Sequence, residues 1–331
     1  MQLPGVRRRR IAALACSLSL TIAAAPVIAA PPSRADDYRV CLDLTADIRA
    51  LGSDDAFVWE PASDRLAALG PVAWPALVRA LEHEGPAVRE AVVGVLASGT
   101  EADDGVLASL GRVARNDPEA DVRAVAVPAV RKLAGTRSRD VVVAALDDPS
   151  PAVRRKAITA CTGLCTDDAA LARLVALALG DEPLSNALQA RRVLWRLTAE
   201  GGDAAIVAKV RALASAAASA SEGSSAASAE RRTLLAALLL AELGDDARLD
   251  DVARATGPDQ PSELRTHALH ALGRLGGEDR VALVAGLQQD AAVAIYAHDA
   301  LRRMSERSIA SAASAAAGYA GPRAPQPLPR P

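Results

Sequence analysis

The sequence predicts an all-α protein, an α-solenoid of about seven stacked two-helix repeats, and three observations predict it. Of 331 residues, 50% are hydrophobic but only 2% aromatic, so the apolar mass is aliphatic and largely alanine. Alanine is the strongest helix former, and so few aromatic rings argue against a sandwich, a barrel or a base-stacking surface. An apolar pattern also recurs at intervals near thirty residues, the mark of stacked repeats. Finally, a turn carrying an acid and a proline stands before most copies of that pattern.

Charge narrows the functional classes. With 38 Lys+Arg against 40 Asp+Glu the net charge is −2. No basic excess calls for nucleic acid and no acidic run suggests a solvating tail, so no nucleic-acid partner is expected.

From the N-terminus, residues 1–30 read as a secretory signal peptide. Arg7 to Arg10 form the cationic start, Ile11 to Ala25 the apolar stretch, and Val27-Ile28-Ala29-Ala30 the small-residue cleavage site before Pro31-Pro32. An uncleaved anchor over Ile11 to Ala30 is the rival reading, weakened by Pro26 and by the alanine content. The expected product is an exported chain, periplasmic or secreted, without stable membrane insertion and monomeric. Loss of the four arginines takes its charge from −2 to −6. Residues 31–60 are expected to form a capping segment, 61–306 the solenoid, and 307–331 a helix remnant with a proline-rich tail.

The repeats can be phased on one helix, Leu264 to Gly276, with apolar or small residues at 0, +4, +8 and +11, one helical face. The pattern returns at Val88, Val92 and Leu96; at Val122, Ala126, Val130 and Leu133; at Val153, Ala157, Cys161 and Leu164; and at Val293, Ala297, Leu301 and Met304. Asn186, Ala190, Leu194 and Leu197, and then Arg232, Ala236, Leu240 and Leu243, are copies degraded at position zero. Successive zero positions lie 34, 31, 33, 46, 32 and 29 residues apart. Val40, Leu44, Ile48 and Leu51 make an earlier half-copy.

The turns Asn116-Asp117-Pro118, Asp147-Asp148-Pro149, Asp181-Glu182-Pro183 and Pro258-Asp259 stop one helix and start the next. Leading helices are expected at Val72–His83, Asp103–Arg115, Ser138–Leu146, Asp168–Leu179, Asp203–Ala218, Asp246–Ala255 and Glu278–Gln288. The long interval is assigned to a Ser/Ala-rich insertion at 214–229, expected as a loop that is helical only at its start.

Leu69-Gly70-Pro71-Val72-Ala73-Trp74-Pro75-Ala76-Leu77, Pro149 to Ala157 and Leu264 to Gly276 resemble HEAT repeats, particularly the short bacterial, phycobilisome-lyase-like type. The resemblance covers about residues 60 to 305. It implies a solenoid whose second helices line a concave surface used to hold other proteins, and it transfers a fold rather than a reaction. HEAT-like hydroxylases that hold two irons carry repeated His-Glu pairs on their second helices. This chain has one, His83-Glu84, placed before a helix, and the di-iron reading falls with it.

The functional expectation is a non-catalytic scaffold that binds a protein partner and needs no cofactor. Its candidate contact residues are Arg89, Arg123, Arg154, Arg191, Arg192, Trp195, Arg265 and His267. Arg89, Arg123, Arg154 and Arg265 share position +1 and admit two readings, a ligand-binding row or a ladder of ion pairs to Asp117, Asp148, Asp181 and Asp259. An exposed rung would contribute only about 0–1 kcal/mol. Trp195 stands where Gly273 stands in the reference repeat, either as an interface anchor or packed on the Ser/Ala segment.

The alternative is an enzyme, or a lyase-like accessory subunit, with a metal or cofactor near His267, His270 and His298. Cys16 leaves with the signal, and Cys41, Cys161 and Cys165 remain. Cys161 at +8 reads as a core residue, and a regular helix disfavours its pairing with Cys165. Gly163 and the helix end near Leu164 loosen that geometry, and a long-range bridge from Cys41 also stays open.

Overall fold

The computed structural model describes residues 44–180, 182–199, 204–219 and 225–318, and in these every regular element is a helix. The expected signal peptide, Cys41 and the proline-rich tail lie outside them. A helix, α1, covers 44–50 of the described residues and is followed by α2 Ala56–Leu69, α3 Trp74–Ala80, α4 Pro86–Ser98, α5 Asp104–Asn116, α6 Ala120–Ala134, α7 Arg139–Ala145 and α8 Pro151–Ala160. Then come α9 Asp168–Leu179, α10 Leu184–Ala199, α11 Ala204–Ser219, α12 Ala226–Glu242, α13 Leu249–Arg254, α14 Ser262–Leu275, α15 Val281–Gly286 and α16 Ala294–Gly318. Paired in order they make an α-solenoid of helical hairpins, in which most second helices stack on the second helix before and after.

Each hairpin starts and stops for a local reason. Asp55, Asp103 and Asp167 cap α2, α5 and α9 by accepting backbone N–H bonds, and Ser225 does the same for α12. Pro86 and Pro151 open α4 and α8, where a missing N–H costs nothing.

The repeat phase places the core. Val92, Ala126, Ala157, Ala190, Ala236, Ala268 and Ala297, all at +4, are 0% exposed. Alanine there lets neighbouring helices approach, and larger residues such as Leu194 and Leu272 supply about 1.5–3 kcal/mol each by burial.

Two expectations change. The half-copy at Leu44 to Leu51 is the leading helix of a further hairpin, whose second helix α2 buries Ala62 and Leu66 and runs across the expected boundary at residue 60. The Ser/Ala segment is no long loop, because α11 runs to Ser219 and α12 starts at Ala226, with only 220–224 outside the described residues. Alanine propensity outweighs the low complexity, and the long interval reflects two long helices of 16 and 17 residues. The helix remnant expected beyond residue 306 is the far part of α16, which runs to Gly318.

Cys161 and Cys165 form a disulfide, with Cα atoms 5.1 Å apart and both residues fully buried. The helix ends first: α8 stops at Ala160, and Gly163 takes φ +68° in the turn that follows. That left-handed residue returns the chain toward Cys161, which a regular helix would not do.

Candidate functional site

The +1 arginines form a ladder. Arg89 donates from Nε and Nη2 to both oxygens of Asp117 at 2.8 Å, and its Nη1 reaches the carbonyls of His83 and Glu84 at 2.8 and 3.0 Å. Arg123 repeats this with Asp148 at 2.8 and 2.9 Å and with the carbonyls of Asp117 and Pro118. Arg154 pairs with Glu182 at 2.6 Å and donates to the carbonyls of Asp148 and Pro149. Arg265 pairs with Asp290 and donates to the Thr256 carbonyl. Each guanidinium thus braces its own turn and grips an acid in the next hairpin.

The acids are locally pre-set, since Asp117, Asp148 and Asp290 also accept the N–H two residues on. Burial works against the charged Asp148, yet Arg123 and the Ser150 N–H hold its carboxyl below the usual range. The hydrogen bond from Arg265 does the same for Asp290.

This geometry corrects two expectations. The partners of Arg154 and Arg265 are Glu182 and Asp290; Asp181 lies outside the described residues, and Asp259 belongs to the turn that follows α13. Moreover Arg89, Arg123 and Arg265 are at most 9% exposed, and Arg154 is committed to its own rung. The row is internal fastening and presents no charge to a partner. His83 and Glu84, the one His-Glu pair, serve the first rung through their carbonyls.

The ladder breaks at α10 and α12, where +1 is Ala187 and Thr233. At position zero of α10, Asn186 instead donates to the Pro151 carbonyl and to Glu182. One turn on, Arg191 reaches Glu242 at the end of α12, at 2.6 Å, with its own side chain 1% exposed. Burial alone would raise the Glu242 carboxyl, but Arg191 and His267 outweigh it and hold the group below its ordinary value. Arg191 is therefore a buried counter-ion, which corrects its place among the contact residues.

The surface changes here too. Leu234 to Ala241 are eight consecutive buried residues; a helix apolar all round has to be enclosed. Accordingly α12 packs against α9, α11, α13 and α14 and touches α10 at few points, while α14 and α16 pack along their lengths. Gly273 makes that close packing possible, since a Cβ there would lie 2.9 Å from the Ala300 Cα. At the equivalent place α10 carries Trp195, 41% exposed. The second helices therefore part, and a groove opens between α10 and α14 over the end of α12.

Two cavities lie along it. One of about 450 Å³ is walled by Leu188, Arg192, Trp195 and Arg196 of α10 and by His267, His270, Ala271 and Arg274 of α14, with Glu242 as floor. The other, of about 340 Å³, lies between Ser185 to Arg192 and Glu263 to His267 and is closed by Tyr296. Leu188, Arg192 and His267 line both. Partial burial, then the Arg303 and Arg274 guanidiniums, lower the His270 pKa, so its ring is neutral at pH 7.

Of the candidate contact residues, Arg192, Trp195 and His267 are therefore brought together. Leu188, Arg196, Glu242, Arg274 and Tyr296 were missed. The unbroken apolar run of α12 was the available signal. His298 turns away to bond Gln288 at 2.9 Å, and no three His, Cys, Asp or Glu side chains gather as a metal-holding group among the described residues. A larger cleft, about 900 Å³, lies between the start of α15 and the far part of α16.

A family model described as HEAT repeats matches residues 107–195, from α5 to Trp195 in α10. No curated protein matches the sequence. Among solved structures, human deoxyhypusine hydroxylase in complex with glycerol is 16% identical, over 80% of this chain and 96% of that chain, with a TM-score of 0.32. The chain is thus an α-solenoid with HEAT repeats in that stretch, and the hydroxylase likeness adds nothing on activity.

Proposed function

We propose that the chain is an exported, non-catalytic scaffold that holds a protein partner in the groove between α10 and α14. The observation that carries this is the parting of the second helices. Where the stack loosens, it presents Trp195 and Tyr296, 41% and 49% exposed, on either side of Arg192. The whole sequence has seven aromatic residues, so two of them on one groove is a concentration of the side chains that dominate interface hot spots. The buried Cys161–Cys165 bridge supports an oxidising destination, in keeping with the signal-like residues 1–30.

The test is affinity capture from the native exported fraction with the full chain and with an Arg192→Ala/Trp195→Ala double variant. The variant is expected to keep its helicity and melting temperature and to lose the partner. Capture that persists undiminished places the contact elsewhere. N-terminal sequencing of the exported protein is expected to begin near residue 31, and an intact Met1 would remove the cleaved-signal reading.

A further inference from the structure

The groove has a sign as well as a shape. The walls of the 450 Å³ cavity carry Arg192, Arg196 and Arg274, the carboxylate on its floor, Glu242, is already matched by Arg191, and the second cavity sets one exposed carboxylate, Glu263, across from Arg192. Arg192, exposed and shared by both cavities, makes no ion pair or hydrogen bond among the described residues. The ladder guanidiniums, by contrast, are each held by a carboxylate. The protein as a whole has a net charge of −2, so a cationic groove runs against its average field.

We infer that the occupant is an acidic peptide segment of the partner, bound with a carboxylate against Arg192 and an aromatic or large aliphatic side chain against Trp195. This rests on the scaffold reading above and adds the chemistry of what is held. Arginine offers a planar fork to a carboxylate and a flat face to a ring. Cavities of about 450 and 340 Å³ fall in the size range of ligand pockets. Because Leu188, Arg192 and His267 join them, side chains from neighbouring positions of one segment can enter both. A basic segment would meet like charge at Arg192 and Arg274, which is specificity by repulsion.

A library of short random peptides selected on the immobilised full chain, followed by fluorescence anisotropy of the enriched peptides, tests this. Enrichment of Asp or Glu beside an aromatic is expected, with binding weakened at least about tenfold by Arg192→Glu and progressively by salt. Arg192→Glu used as bait is expected to enrich Lys and Arg instead, which mere misfolding would not do. Enriched peptides with no acidic bias that still depend on Trp195 overturn the acidic occupant and leave the groove. Enriched peptides indifferent to both Arg192→Glu and Trp195→Ala, or no enrichment at all, overturn the groove as well.

Discussion

Removing Arg123 separates a structural ladder from surface decoration. In Arg123→Met the stem survives while two charge-assisted bonds to Asp148 and two to the carbonyls of Asp117 and Pro118 are lost. The Asp148 side chain, 7% exposed, then keeps its charge without the guanidinium that faces it. Breaking a buried pair from one side costs about 3–5 kcal/mol, well above the 0–1 kcal/mol of an exposed pair. The Arg112–Glu82 pair, with side chains 51% and 69% exposed, is the internal control. Urea unfolding followed by far-ultraviolet circular dichroism should move the midpoint far more for Arg123→Met than for Arg112→Met. Arg123→Met/Asp148→Leu should recover much of the loss, since no orphan charge remains. Equal shifts for the two single variants would refute the ladder as a stabilising element.

Other consequences are open to direct measurement. Leu272→Ala, at a fully buried position, is expected to cost about 2–5 kcal/mol; an unchanged melting temperature rejects the repeat phase. Gly273→Leu should cost at least about 1–3 kcal/mol by forcing α14 from α16, and a neutral result would mean the two helices are not in close contact. Non-reducing peptide mapping should return Cys161 linked to Cys165, and two free thiols there remove the bridge. The pH profile has two parts. His270, lowered from 6.5, favours the neutral form on folding, so stability begins to fall as pH drops below that value. Asp148, Asp290 and Glu242 are lowered from 3.8, 3.8 and 4.5, so the stability they add is present above those values and is lost as pH falls through the folded ones. His270→Ala should abolish the first part alone, and a first decline that survives it assigns the proton elsewhere.

Much of this architecture was legible because a repeat states its rule several times. Position +4 reads valine or alanine in copy after copy, and only a small buried residue satisfies that spacing, so the phase and the leading helices followed; Asp168–Leu179 came out to the residue. The rungs were legible as arginine and acid, but their depth was not. Exposure depends on how closely hairpins stack, and that is set by side chains distant in sequence. For the same reason the spacing that points to Asp181 does not reveal that Glu182 meets Arg154. Single residues at the irregular repeat were hardest. Nothing local to Arg191 distinguishes it from Arg192, yet one is enclosed against Glu242, 51 residues on, and the other faces the groove. The Ser/Ala segment misled because low complexity resembles a spacer, whereas its alanines extend two helices.

The fastening of this array is uneven along the chain. Hairpins from α3 to α10 are riveted in succession by Arg89, Arg123 and Arg154, and Arg265 rivets α14 to α16, but among the described residues no arginine at position +1 spans α10, α12 and α14 in this way. What crosses there is the Arg191–Glu242 strut, with the Arg274 guanidinium on the Glu242 carbonyl and Arg231 on the Glu182 carbonyl. A segment lying across α10 and α14 would act as a splint over that seam, so the place where a guest binds is also the place where the host has most stiffness to gain.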